Sequence, residues 1–137
     1  MWIDKLLEFS DSQALTATAV STNVVNLSQD RDIGPGTPLW WVVGVEVALD
    51  GTTGDETYVA TLQTDDNPSF TSPTTIATIT LTRGDAVGTR YFQSLPSANE
   101  QYLRVNYTLG GTTPLGTVSS FITAEDPAKW VSQADGI

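Results

Sequence analysis

The sequence predicts an all-β chain, a single-domain antiparallel β-sandwich, on three observations. Leu103, Val105, Tyr107 and Leu109 fall on one face of an extended segment, Tyr102, Arg104, Asn106 and Thr108 fall on the other, and Gly110-Gly111 closes it. A period of two ending in a glycine turn marks a half-buried strand entering a hairpin. Threonine is abundant, valine is common and lysine is nearly absent, and stiff β-branched side chains suit a pleated surface. About eight such segments recur at intervals of roughly 8–15 residues, the rhythm of a sandwich or jelly roll. The 137 residues suffice for one core and not for two.

The elements follow in order. Trp2 to Phe9 reads as a short helix or an extended arm, too short to be stable alone. Its apolar residues Leu6, Leu7 and Phe9 need the domain or a neighbour to pack on. Leu15, Ala17 and Ala19 then share a face, and Val24, Val25 and Leu27 follow. Ser28 to Pro38 holds two glycines and two prolines besides Asp30, Arg31 and Asp32, so it is a loop.

The strongest strand carries Trp41, Val43, Val45, Val47 and Leu49 on one face. Trp40 and Val42 sit on the other, so at least its start is buried on both sides. Asp50 to Asp55 turns the chain, and Tyr58, Ala60 and Leu62 resume the alternation. Thr64 to Phe70 is the next turn, with Ala77, Ile79 and Leu81 as the inward row beyond it. After an Arg83–Gly88 turn, Tyr91 to Leu95 forms a short strand that ends at Pro96. The strand from Tyr102 comes next, then the Gly110–Gly116 connection and Val118 to Thr123. A polar tail follows, anchored at Trp130 and Val131. The divisions are an N-terminal arm over 1–12, the sandwich over 13–124 and a C-terminal tail over 125–137.

Composition narrows the function. The net charge of −10 and a pI near 4.1 repel phosphates and anionic lipid, which disfavours nucleic acid and membrane surfaces as partners. No apolar run is long enough to span a bilayer. Met1-Trp2-Ile3-Asp4-Lys5 lacks the pattern of a secretory signal. The chain has no cysteine and no histidine. Disulfides, thiolate metal sites, histidine-ligated zinc, histidine general bases and Ser-His-Asp systems therefore drop out. No catalytic residue, metal ligand or cofactor is expected.

The remaining candidates have plain readings. Asp65-Asp66-Asn67 offers oxygens in a loop, as calcium prefers, but its spacing matches no calcium loop and suits a turn in which Asp and Asn accept local backbone donors. Sixteen acidic residues make chance carboxylate pairs inevitable, so a glycosidase pair has no support. Asn106-Tyr107-Thr108 and Asn26-Leu27-Ser28 fit the glycosylation pattern but suit an ordinary Thr- and Ser-rich strand chain as well. Trp40-Trp41 points in opposite directions along a strand. Trp41 is assigned inward and Trp40 to an interface or beneath an arm, the competing reading being a sugar-stacking platform. Arg104 either pairs with a cross-strand carboxylate or grips a partner's carboxylate bidentately.

Several collinear pieces carry a family resemblance. Asp4-Lys5, Phe9-Ser10-Asp11 and the run from Gln13 to Leu27 begin it. Arg31-Asp32-Ile33-Gly34, Pro38-Leu39, Thr61 to Asp66, Phe70 and Tyr102 to Tyr107 continue it. Together they resemble the capsid cement (decoration) proteins of Bordetella-phage type. The resemblance covers most of the chain up to Thr123 and leaves out the Trp40-Trp41 pair and the tail. It implies a β-sandwich of jelly-roll type with terminal arms and no catalytic residues. It further implies a non-enzymatic, self-associating protein on the outer surface of a tailed-phage capsid, assembled in the host cytoplasm and bridging subunits of the major capsid protein. A homo-oligomer follows, a dimer in preference to a trimer. Trp2, Leu6, Leu7, Phe9, Trp40, Arg104 and Trp130 are the candidate interface residues. A carbohydrate-binding, lectin-like sandwich is the alternative.

Overall fold

The computed structural model describes residues 5–27, 39–95, 100–124 and 127. Trp2, Trp130, the Asp30–Pro38 loop and nearly all of the 125–137 tail lie outside the described residues. Among the described residues, a 3₁₀ turn, Lys5–Leu7, leads into nine strands. These are β1 (Glu8–Leu15), β2 (Ala19–Val20), β3 (Val25–Asn26), β4 (Trp40–Val47), β5 (Thr57–Asp65), β6 (Thr74–Leu81), β7 (Arg90–Ser94), β8 (Tyr102–Gly110) and β9 (Gly116–Thr123). Two antiparallel sheets pack face to face. The first sheet runs β1-β9-β4-β7 and the second β2-β8-β5-β6, with β3 also on β8.

β2 and β3 act as two halves of one strand along β8, joined through Ser21. The Ser21 backbone N–H donates to Val105 O at 2.7 Å, and its hydroxyl oxygen accepts from Val105 N at 3.1 Å. Counted so, every step along the chain changes sheet except that from β5 to β6.

The alternating faces meet in the middle. Trp41, Val43 and Val45 of β4, with Val118 and Ile122 of β9, pack against Tyr58, Ala60 and Leu62 of β5 and Leu103, Val105 and Tyr107 of β8. Hydrogen bonds tie the polar groups caught between the sheets. Trp41 Nε1 donates to Ser120 Oγ at 2.9 Å, and Ser120 Oγ donates to Val42 O at 3.0 Å. Ser10 Oγ donates to Gln13 Oε1 at 2.7 Å, which leaves it to accept from Tyr107 OH at 2.8 Å. That last bond joins β1 to β8 across the sandwich. Burial pushes the Tyr107 hydroxyl up to about 12, so it stays protonated and keeps donating.

Three expectations need correction. The arm does not extend to residue 12, because β1 starts at Glu8 and pairs with β9 from Glu8↔Phe121 onward. Phe9 is fully buried in the core cluster. β1 escaped notice because register shifts between Glu8 and Ser10 and between Ser10 and Gln13 break its period of two. Ala17 and Ala19 do not join an inward row with Leu15, since the chain bends at 16–18 and both are exposed. Val47 faces solvent at 52% exposure. A register shift between Val45 and Val47 turns it outward, and Leu49 returns to the core.

Candidate functional site

The two outer faces differ in chemistry. On the second sheet, outward positions include Thr61 and Gln63 of β5, Thr78 and Thr80 of β6, and Asn106 and Thr108 of β8. On the first sheet they include Trp40 and Val42 of β4 and Phe92 of β7, with Val42 registered between Phe92 and Phe121. Val42 and Phe121 are buried yet stand apart from the central core cluster, so they form a second apolar cluster on this side. Trp40, half-buried, and Phe92, 41% exposed, stand at its rim. Their rings meet edge to face, with centroids 6.2 Å apart and planes at 77°.

Trp40 reaches this place because Trp41 takes the core, and adjacent residues of a strand point oppositely. Sequence reasoning missed Phe92. Its role depends on the β4–β7 register, and the only local signal was its alternation with Tyr91 in a short strand.

The other sequence candidates scatter. Leu6 is 81% exposed on the 3₁₀ turn, while Leu7 is partly buried against the core. Phe9 is spent on the core. Leu6 and Val24 flank an open groove whose lining includes Glu8, Thr22, Asn23 and Asn26.

Arg104 is engaged within the domain. Its Nε donates to Gln63 Oε1 at 2.9 Å, and its guanidinium carbon lies 4.3 Å from the Phe70 ring centroid. It thereby covers the 65–72 turn. Asp65 Oδ1 accepts from Asn67 N at 3.0 Å and Oδ2 from Ser72 N at 2.8 Å, while Asn67 Oδ1 accepts from Ser69 N at 2.8 Å. The Ser72 amide does most to lower the Asp65 pKa. This is the turn reading of Asp65-Asp66-Asn67. Phe70, at φ 51°, holds an unfavourable backbone there, offset by its ring contact with Arg104 and its amide bond to Asn67 O at 2.9 Å.

A second set of carboxylates, unread in the sequence, sits at the loops before β5 and after β8. Glu56 is buried at 1% exposure, and its oxygens accept from Thr53 N at 3.1 Å, Gly54 N at 3.0 Å and the Thr53 hydroxyl. Asp55 accepts from Thr112 N at 3.1 Å, Thr112 Oγ1 at 2.9 Å and Thr53 Oγ1 at 2.7 Å. Asp50 accepts from Thr52 N at 3.1 Å and from the Thr52 hydroxyl. Hydrogen bonds to the ionised forms lower all three pKa values. The Thr53 hydroxyl contributes most at Asp55, bringing it to about 2, and most at Glu56, and the Thr52 hydroxyl most at Asp50. An acid so depressed carries no proton to donate at neutral pH. Asp55 fastens the loop before β5 to the loop after β8, while Asp50 and Glu56 brace the former from within.

Acid should loosen this end of the sandwich. A carboxyl whose pKa falls on folding stabilises the fold above its unfolded value, near 4, and loses that contribution as pH drops through its folded value. Denaturant midpoints should therefore hold from pH 7 to about 4.5 and decline between about 4 and 2. Asp55→Asn should flatten the lower part of that decline. An unchanged acid profile in this variant would show that Asp55 is not among the responsible groups.

The fold and surface define a β-sandwich with a threonine-rich outer face on the second sheet and the Trp40–Phe92 pair on the outer face of the first. The Bbp16 family model matches residues 9–122. The chain belongs to that family, a Bordetella-bacteriophage protein family, and is a virion-associated phage structural protein. Comparison with curated proteins finds no match. Among solved structures, the CBM22-1–GH10 modules of Clostridium thermocellum endo-1,4-β-D-xylanase 10B, complexed with xylohexaose, align at 17% identity and a TM-score of 0.39. The alignment covers 96% of this chain and 29% of that one, so the chain spans under a third of that protein's length. A likeness of that size carries no argument about function.

Proposed function

We infer that the protein is a capsid cement protein. It binds the outside of a tailed-phage capsid and bridges subunits of the major capsid protein, acting as a homo-oligomer and performing no catalysis. Family membership supports the phage setting. The observation that carries the contact itself is the pairing of half-buried Trp40 with exposed Phe92 on the outer face of the first sheet. Aromatic residues at the rim of an apolar cluster are what interfaces draw on for their central contacts. A rigid sandwich holds the two rings in place before binding, which limits the ordering cost. Bridging supplies strength through multivalency, because each contact made raises the effective concentration for the next. The acidic surface suits a position away from the packaged DNA.

Binding to undecorated capsids tests this. The wild type should co-sediment with them and raise their resistance to heat. Trp40→Ala and Phe92→Ala should each weaken binding by about 2 kcal/mol, roughly thirtyfold, with the circular dichroism unchanged. Full decoration by both variants would remove this face from the contact. A saturable, Trp40-dependent quenching of tryptophan fluorescence by glycans would instead favour the carbohydrate-binding alternative.

A further inference from the structure

The second sheet ends in an open edge. β6 pairs with β5 along one side, and no strand among the described residues pairs with its other side. The remaining edges are protected in the ways that block unwanted pairing. β1 carries Glu8 and Asp11 and two register shifts. β2 and β3 are two residues each. β7 is five residues long and begins with Arg90. β6 is eight residues long and carries no charge, and the charge-free stretch extends from Thr71 to Thr82 in a chain of net charge −10. Its single irregularity lies where Leu62↔Ala77 gives way to Gln63↔Thr75, which leaves Ala77–Leu81 as a regular run.

We propose that β6 is a self-pairing edge, and that two copies of this chain join there, antiparallel, into one continuous sheet. The proposal rests on the self-association within the cement reading and names its surface. In a twofold antiparallel pair, residues equally spaced on either side of the axis meet across it, so a strand carrying one sign of charge would oppose itself. A charge-free strand does not. Pairing centred on Ile79 uses only the regular run. Thr78 of each copy then lies opposite Thr80 of the other on the outer face, a favourable cross-strand combination, and Ala77 lies opposite Leu81 on the inner face. Ala77, Ile79 and Leu81 keep 8%, 7% and 5% exposure at this edge, and pairing would close it. The ends are complementary too. Arg83, exposed just beyond β6, is brought toward the partner's turn that carries the exposed Asp66.

The geometry serves bridging. Identical strands joined antiparallel in one sheet are related by a twofold axis perpendicular to that sheet. Both sandwiches therefore turn the same face to the same side. The dimer presents two Trp40–Phe92 patches in one direction, as a clamp over two neighbouring shell subunits requires.

Sedimentation of the full chain at micromolar concentration, with no capsid present, tests the edge separately from capsid binding. The wild type should be a dimer. Thr78→Lys combined with Thr80→Lys sets lysines opposite lysines and should raise the dimer dissociation constant about tenfold or more. Thr78→Lys combined with Thr80→Glu sets each lysine opposite a glutamate at the same positions and should restore the dimer. Both threonines are exposed, so unchanged circular dichroism is expected for both variants. A wild-type dimer that survives the double lysine change overturns the β6 interface and leaves self-association standing. A wild-type monomer, with the edge left for a strand of another protein, overturns the self-pairing itself. Failure of capsid binding with the dimer intact would strike the cement reading alone.

Discussion

Trp41→Ala will lower the stability of the domain by about 3–5 kcal/mol, within the range for removing a buried large aromatic, whereas Trp40→Ala will lower it by about 1 kcal/mol, as partial burial implies. The melting temperature should fall by roughly 10–20 °C in the first case and by a few degrees in the second. Trp41 is fully buried between the sheets, where its indole N–H satisfies Ser120 Oγ. Truncation leaves a cavity that the surrounding β-branched side chains cannot collapse to fill, and it deprives the Ser120 hydroxyl of its donor. Trp40 rests on the outside, with one side on Phe92 and the other toward solvent. The two substitutions separate fold from function, since the first should weaken the fold itself and the second should affect mainly binding. Thermal melts of both variants decide it. Equal losses would mean that the inward and outward assignments of the pair are wrong.

That pair also shows what was legible in the sequence. A period of two tells which of two neighbours faces inward, and it gave the right faces for Trp41, for Leu103, Val105 and Tyr107, and for Ala77, Ile79 and Leu81. It fails wherever an extra residue enters a strand. One shift in β4 exposed Val47, and two shifts in β1 concealed a strand whose Phe9 belongs to the core. A bulge is a feature of the pairing and leaves no reliable mark on the strand that contains it. Strand order was out of reach for a related reason, because it is set by partners far apart in the chain, such as β1 with β9. The surface was the least legible part. Trp40 stood out as a large aromatic on an outward position, but Phe92 gains meaning only through the register that brings it to Trp40. The expectation for Arg104 named carboxylates, and Asp65 does attract it, but its hydrogen bond goes to an amide and its guanidinium lies over an aromatic ring, chosen by the cross-strand position of Gln63 and the path of the 65–72 turn. Glu56 left no trace at all, since a buried carboxylate answered by backbone N–H groups needs no charged neighbour to betray it.

Gly111→Ala will be among the most damaging single-methyl additions to this chain, with a loss of about 3 kcal/mol or more from backbone strain and overpacking together. Gly111 sits at φ +87°, a conformation that costs any residue with a side chain about 1 kcal/mol or more. Its α-carbon also passes close to the chain entering β5. A methyl group there would lie 2.3 Å from Asp55 O and 2.8 Å from Glu56 Cα. Both obstacles are backbone atoms, so no rotamer change can clear them. Relief would require the two loops to part, and those loops are joined by the Asp55–Thr112 hydrogen bonds, while Glu56 braces the first of them from within. Gly54→Ala is the matched control. Gly54 has nearly the same backbone, φ +82°, with nothing within 4 Å of the added methyl. It should therefore lose only the conformational part, about 1 kcal/mol. The difference between the two variants in urea denaturation isolates the close approach of the loops. Equal losses would mean that the loops yield freely, and that the carboxylate-bonded end of the sandwich is looser than its hydrogen bonds imply.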